Sequence, residues 1–365
     1  MAVLVTDANA TTFFDNLPES LITSTLLPAH TLASVTRTTS DDWELLQPSL
    51  AELIEQLIPS YLFLFIAGLI CSLLTVALLY VLIVSPRMRK ESKFLIFLAF
   101  GDLSNCMGIS LLGIYRYTLF LHCAELKRIP KETSLTCAAK PFVWFRIVGN
   151  IWPPLMLVLI SFDRLFITWM PLSYNRWGNC TCIFSIVFVL VFCIIGAALA
   201  VTHREQPVKF DCGRKAAYSV TFATVIYYFE TLGYGAAFLI NVVAYIKARS
   251  IVTSVVVREQ LRRTRVYLAV NILSVLLVIA PNFKSLSIRM LRYIGMSENL
   301  FLMINLASLI NSSFNIFIYI ALYQSFRTEI VYALGMQTFF GKRQGSARSP
   351  VFTRRTTKRF TELNQ

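Results

Sequence analysis

The residues best suited to chemistry lie inside long apolar runs. Asp102 in LAFGDLSN and Glu230 in YYFETLGY are each the only acid of a hydrophobic stretch. A bare charge at membrane depth costs roughly 3 kcal/mol, so such a residue is by default a functional candidate, unless it is protonated and merely bonds across helices. Near the C-terminal end of the apolar region, Asn311, Ser312 and Asn315 fall within about one helical turn, and Tyr319 follows four residues later on the same face. One Asn or Ser in a membrane helix is ordinary interhelical glue, but this spacing offers several amides and hydroxyls to one pocket. Asp163 and Arg164 close another apolar run, LISFDRLFI. Arg146 and Asn150 share one helix face, one turn apart. With Glu230 and Lys284 they form a polar pocket; alternatively Arg146 and Lys284 snorkel outward and Glu230 pairs with one of them. The histidines His30, His122 and His203 are scattered, and no nucleophile–base or metal constellation is legible. An enzyme is therefore disfavoured, and no cofactor or metal is expected.

Those side chains need a bundle of membrane helices to hold them. The chain is 56% hydrophobic with mean hydropathy +0.62, far beyond what a soluble core requires. Seven stretches approach the roughly 20 apolar residues that a span needs: Tyr61 to Val84, Phe94 to Tyr115, Ile147 to Phe162 with extensions past Arg146 and Asp163, Trp177 to Thr202, Ala216 to Ile246, Val266 to Phe283 and Asn299 to Phe326. The expected fold is an all-α membrane protein, a seven-helix bundle with a short amphipathic eighth helix. Residues 1–57 read as a flexible acidic exterior arm, 58–334 as the helical domain and 335–365 as a basic Ser/Thr-containing tail. Ser49 and Glu52 have the spacing of a capping box for a short helix leading to Pro59. Met1 to Phe14 lacks a basic start and a sustained apolar core, so the first span is expected to insert the chain.

The net charge of +14 is distributed between apolar runs, which suits a lipid bilayer and not nucleic acid. The loops on the two sides tie at 12 Lys and Arg each. The flanks break the tie: SPRMRKESK follows the first span at once, while no base lies between Arg37 and Arg87 before it. The N-terminus is therefore expected outside and the C-terminus in the cytoplasm, with Asn9-Ala10-Thr11 usable for glycosylation. Cys71, Cys106 and Cys193 read as buried thiols, and Cys123, Cys137 and Cys212 face an oxidising exterior.

The pattern Asn311-Ser312-x-x-Asn315-x-x-x-Tyr319, followed by Phe326-Arg327, resembles the end of the rhodopsin-like G-protein-coupled receptors. Asp102, Asp163-Arg164, Tyr245 in NVVAYIKA and Pro281 in LLVIAPNF match further landmarks, so the resemblance covers about Ser60 to Leu334. It implies a plasma-membrane receptor that binds an exterior ligand and activates a heterotrimeric G protein by swinging the sixth helix. On that reading Asp163 holds Arg164 at rest, and Arg164 meets Tyr245 and Tyr319 in the active form. Asp102 with Asn311, Ser312 and Asn315 would hold a sodium ion or waters, and Pro281 would kink the sixth helix. The chain departs from the pattern at Ile316, Ile279, Val275, Ala237, Pro153 and Pro154, in the manner of divergent invertebrate receptors of the nematode chemosensory type.

The resemblance also implies a Cys137–Cys212 disulfide that leaves Cys123 free or reactive, with Cys123–Cys137 as the competing pair. No lysine in the seventh span could carry retinal, and Arg146 stands where amine receptors have Asp. The basic exterior loops and Arg146 favour an acidic small molecule or peptide, unless the acidic arm covers them. The rival reading is a transporter or channel that uses Asp102 and Glu230 for translocation.

Overall fold

The computed structural model describes residues 43–169, 178–208, 210–250, 255–282, 298–322, 326–328 and 330. Among them, seven helices are long and apolar enough to cross a membrane: Leu50–Val84, Lys93–Leu126, Pro141–Trp169, Thr181–Thr202, Val220–Ser250, Thr264–Asn282 and Leu300–Leu322. In helical elements the chain runs α1 (Pro48–Val84), α2 (Pro86–Glu91), α3 (Lys93–Leu126), α4 (Ser134–Ala138), α5 (Pro141–Trp169), α6 (Gly178–Thr202), α7 (Arg214–Ala217), α8 (Val220–Ser250), α9 (Val255–Ser274) and α10 (Glu298–Leu322). The seven-span bundle expected from hydropathy is thus present. The expected eighth helix is described only at 326–328 and 330, and Asn9, Lys284 and residues 335–365 lie outside the described residues.

The sequence pattern explains which helices are central. In α3 and α5 the most apolar windows are 67% buried, against 28% in α1 and 22% in α6. Accordingly α1 turns Phe63, Ile66, Leu73 and others outward, and α6 does the same with Ile183, Phe184 and Ile194, as lipid contact requires. Small residues let α3 approach its neighbours: a Cβ on Gly113 would stand 2.7 Å from the Phe65 backbone of α1, and one on Gly149 2.4 Å from the Asn105 Cα. The Pro153-Pro154 pair is accommodated by glycines on both sides. Gly101 of α3 lies against Pro153, and Gly233 of α8 against Pro154.

Four boundaries differ from the sequence expectation. First, α1 begins at Pro48 with Gln47 as N-cap, so Ser49 lies inside the first turn and is not a cap. Proline at the first helical position forfeits no hydrogen bond, which favours that start. Second, α1 then runs through Pro59 without a separate short helix, and Ile54 and Leu57 bury against Phe120 and Cys123 of α3. Third, residues 43–57, assigned to the arm, are therefore structured. Strand β1 (Trp43–Leu45) pairs antiparallel with β2 (Arg128–Pro130), where Lys127 at φ 52 ends α3 and reverses the chain. Fourth, the fifth span starts later than Ala216, because the chain breaks at Tyr218 between α7 and α8.

A second short ladder pairs β3 (Glu132–Thr133) with β4 (Pro207–Val208), binding the connection between α3 and α5 to the one between α6 and α8. Thr133 and Thr136 form a capping box for α4, and the Ser134 hydroxyl donates to the Ala217 carbonyl at 2.7 Å. Cys137 and Cys212 are disulfide-bonded with Cα atoms 5.3 Å apart, the pairing that the resemblance implies. Cys123 is fully buried, which leaves it free but inaccessible, not reactive.

Candidate functional site

Three layers of polar side chains run through the bundle. The outer layer lines a narrow cavity between α5, α7, α8, the sixth span and α10, with room for about one water molecule. Arg146 and Asn150 enter it from α5, Glu230 from α8, Asn282 from the sixth span and Ser308 from α10. Arg146 is buried, so the inward reading of this residue holds and the snorkelling one does not. Arg214 of α7 completes the set with its guanidinium 4.7 Å from the Tyr227 ring centre. With its amide turned to suit its neighbours, Asn150 accepts from Arg214 and donates to the Arg146 carbonyl at 3.2 Å. Glu230 has Arg214 and Arg146 as its charged neighbours and the Asn282 side chain beside it. Sequence reasoning missed Arg214, which reads as one more base in an exterior loop. The signal that could have found it is its position two residues after a disulfide cysteine, which pins it over the bundle.

The middle layer joins the cavity to Asp102. Arg146 Nη1 lies 3.5 Å from Asn105 Oδ1, and Asn105 Nδ2 donates to Ser308 at 2.8 Å and Ser312 at 3.1 Å. Asn315 Nδ2 donates to Asp102 Oδ2 at 2.7 Å, with Ser312 also beside that carboxylate. Asn105, one turn beyond Asp102, was not singled out in the sequence. Asn311 departs from expectation: its Oδ1 accepts from Ser274 of α9 at 2.9 Å, tying α10 to the sixth span. A cation here would meet the Asp102 carboxylate, Ser312 and the otherwise unpartnered Asn315 Oδ1. At the matching level of α5 stands Pro153, which packs on Gly101 and offers no hydroxyl. Hard cations take about six or more oxygens, so this set fits an interhelical hydrogen-bond node better than a sodium site.

At the inner layer, Asp163 Oδ2 lies 3.8 Å from Arg164 Nε, and the Arg164 guanidinium sits 5.2 Å from the Tyr267 ring centre. Tyr267 belongs to α9 and was not anticipated; Tyr245 is half-buried at the inner end of α8. Tyr319 is buried, with its ring edge-on to Phe326 at 6.1 Å. Between the layers, the Ala237 carbonyl accepts from Ser161 at 3.1 Å and Asn271 at 3.3 Å, which joins α5, α8 and α9 where the family pattern has proline.

The sixth span carries a mechanical irregularity. Val275–Ile279 is a π-turn in which the Ala280 N–H reaches back to the Val275 carbonyl, and Pro281 follows directly with no N–H to donate. The weakened backbone expected at Pro281 is thus spread over a longer stretch.

Comparison with protein-family models and with curated proteins yields no match.

Around this core, Arg116 fastens the loop that carries Cys212. Its guanidinium donates to Tyr61 Oη at 2.6 Å, Asp211 Oδ2 at 3.0 Å and the Asp211 carbonyl at 3.1 Å, and lies 4.7 Å from the Phe301 ring centre. One side chain therefore joins α1, α3, α10 and the cystine loop. Removing the carboxylate leaves a buried cation partly uncompensated, so Asp211→Asn is expected to destabilise the protein by about 2 kcal/mol. The measurement is the Tm of the purified protein; an unchanged Tm would show that Tyr61 and the backbone carbonyls hold Arg116 unaided. Glu132 also lies beside Cys137 and Cys212, but their sulfurs are bonded to each other and are not available to a metal.

Proposed function

We propose that the chain is a cell-surface G-protein-coupled receptor that binds an acidic extracellular ligand and activates a heterotrimeric G protein. The observation that carries this reading is the polar sequence from Arg146 through Asn105, Ser308 and Ser312 towards Asp102 and Asn315, above an Arg164–Tyr267 contact between the third and sixth spans. A ligand seated on Arg146 and Glu230 would touch the sixth span at Pro281 and Asn282, just outside the π-turn. Movement there would draw α9, and with it Tyr267, away from Arg164, opening the inner face to the partner. The N-terminus lies outside in this arrangement and the C-terminus in the cytoplasm of the plasma membrane, with Asn9 available for glycosylation. Tyr245, Tyr319 and Pro281 keep the activation roles that the resemblance implies, and Lys284, outside the described residues, keeps the ligand-binding role proposed for it.

A ligand screen read out by G-protein nucleotide exchange tests the proposal. If response to an agonist requires that an ion or solute cross the membrane, Asp102 and Glu230 are translocation residues and the receptor reading fails. Arg146→Gln is expected to weaken an acidic agonist by about 2–4 kcal/mol while sparing a neutral analogue, as loss of a partly desolvated ion pair does. Equal loss for both analogues would remove the charge argument.

A further inference from the structure

Two buried cations share the outer cavity with a single carboxylate. Arg146, Arg214 and Glu230 line it, and they are 5%, 9% and 5% exposed. Among the described residues neither guanidinium forms an ion pair, with Glu230 or with any other acid. The strongest charge acting on Arg146 is the repulsion of Arg214, ahead of the attraction of Glu230. Arg146 gives one N–H to Asn105 at 3.5 Å, a long contact, and Arg214 meets Asn150. Each guanidinium carries five N–H donors, so most remain for a further acceptor. Neither side chain can readily swing out to water. Arg214 follows Cys212 of the cystine by two residues and stacks on Tyr227 at 4.7 Å, and a Cβ on Gly108 of α3 would stand 3.1 Å from the Arg146 nitrogen, so close is that helix.

We infer that this cavity is a halide site that holds one chloride ion on the N–H groups of Arg146 and Arg214. Charge selects an anion: two guanidinium groups against one carboxylate leave one positive charge in a low-dielectric site, and a monoanion cancels it, whereas a cation adds to it and a zwitterion leaves it unchanged. Size selects a single atom. The cavity has room for about one water molecule, and a chloride ion is one sphere little larger than water, while any carboxylate or phosphate is several atoms across. A halide also imposes no bonding direction, so two planar forks that approach it from different helices can both donate. Asn282 Oδ1 lines the same space without a hydrogen-bond partner and speaks for a water instead. A water would leave the surplus charge in place, however, and an uncompensated buried ion costs more than an unmatched amide oxygen. The halide site goes beyond the receptor reading and does not depend on it. An acidic ligand that reaches Arg146 would have to open the cavity and displace the ion.

The test uses the full chain in nanodiscs of uncharged phosphatidylcholine, with sodium chloride replacing sodium gluconate at constant ionic strength. Tm is expected to rise with chloride concentration, as it does when a ligand binds only the folded state, and the nuclear-resonance line of chloride to broaden in the presence of the protein. Bromide is expected to replace chloride, and acetate, which is too large, is not. Arg214→Gln leaves Arg146 balanced by Glu230, so it is expected to weaken chloride about tenfold or more in protein whose Cys137–Cys212 bond is intact. Glu230→Gln removes the opposing carboxylate and is expected to tighten chloride about threefold or more, which decides the matter even where Arg214→Gln fails to fold. A Tm indifferent to the exchange of gluconate for chloride, acetate acting as well as chloride, an unaffected Arg214→Gln in folded protein, or a Glu230→Gln that binds chloride no more tightly would each overturn the inference and leave a water in the cavity. None of these readouts involves a G protein, so their failure leaves the receptor reading standing, and loss of that reading leaves the halide site.

Discussion

Arg164→Ala is expected to abolish G-protein activation while surface expression and ligand binding stay close to the parent. Arg164 sits at the inner end of α5, 3.8 Å from Asp163 and facing the Tyr267 ring at 5.2 Å. The cation–π contact contributes about 1–2 kcal/mol and breaking the buried ion pair, long at 3.8 Å, costs about a further 3 kcal/mol, a loss that the seven-helix bundle is expected to survive. The long polar side chain is instead placed where separation of α9 from α5 would expose it to a partner. Nucleotide exchange on a purified G protein, run beside surface labelling and ligand binding on the same cells, checks the separation of effects. A fall in surface protein as large as the fall in signal would make Arg164 a structural residue.

Gly149→Ala is expected to have the largest effect on folding. The added Cβ would stand 2.4 Å from Asn105 Cα, 2.6 Å from its nitrogen and 2.7 Å from its Cβ, and two of those three atoms are backbone. No rotamer change relieves such a clash, so α3 and α5 must move apart, at about 3 kcal/mol or more. The movement would also stretch the 3.5 Å contact of Arg146 with Asn105 one turn away. Gly196→Ala is the control, since its Cβ would meet Ile147 and Tyr218 side chains at 3.4 Å, an ordinary contact. Tm and surface yield of the two variants decide it: a Gly149→Ala protein that melts with the Gly196→Ala protein would mean that the two helices are less tightly apposed than described.

The spans were legible because lipid imposes one rule on every residue of a crossing helix, and seven uncharged or singly charged runs obey it. Local signals at the ends were less reliable. Ser49 and Glu52 match a cap, yet Pro48 starts the helix two residues earlier than a Ser49 cap would, because a proline that cannot donate is best placed first. Asp102, Asn315, Arg146 and Glu230 were found because polar groups in apolar runs announce themselves. Arg116 and Arg214 were hidden by the same logic, since they sit beside loops where a base is unremarkable, and only the tertiary fold turns them inward. Asn105 was overlooked two residues into a mixed segment, and Tyr267 because an aromatic in an inner helix end looks like ordinary packing. Asn311 was grouped by spacing with Asn315, but four residues of helix rotate it just far enough to face Ser274.

The π-turn at Val275–Ile279 divides the sixth span into two halves whose rotational phases are set independently. On its Arg164 side, Tyr267, Val270 and Ser274 are buried in the bundle; within the turn Val278 is, and beyond it Asn282. Deleting one residue of the turn would restore an α-helical register and rotate the outer half by roughly 100° relative to the inner. Asn282 and Pro281 would then leave the cavity while Tyr267 kept its place under Arg164. A single codon lost in this stretch can thus redraw what the cavity half of the span presents and leave the Arg164 half in step with its neighbours.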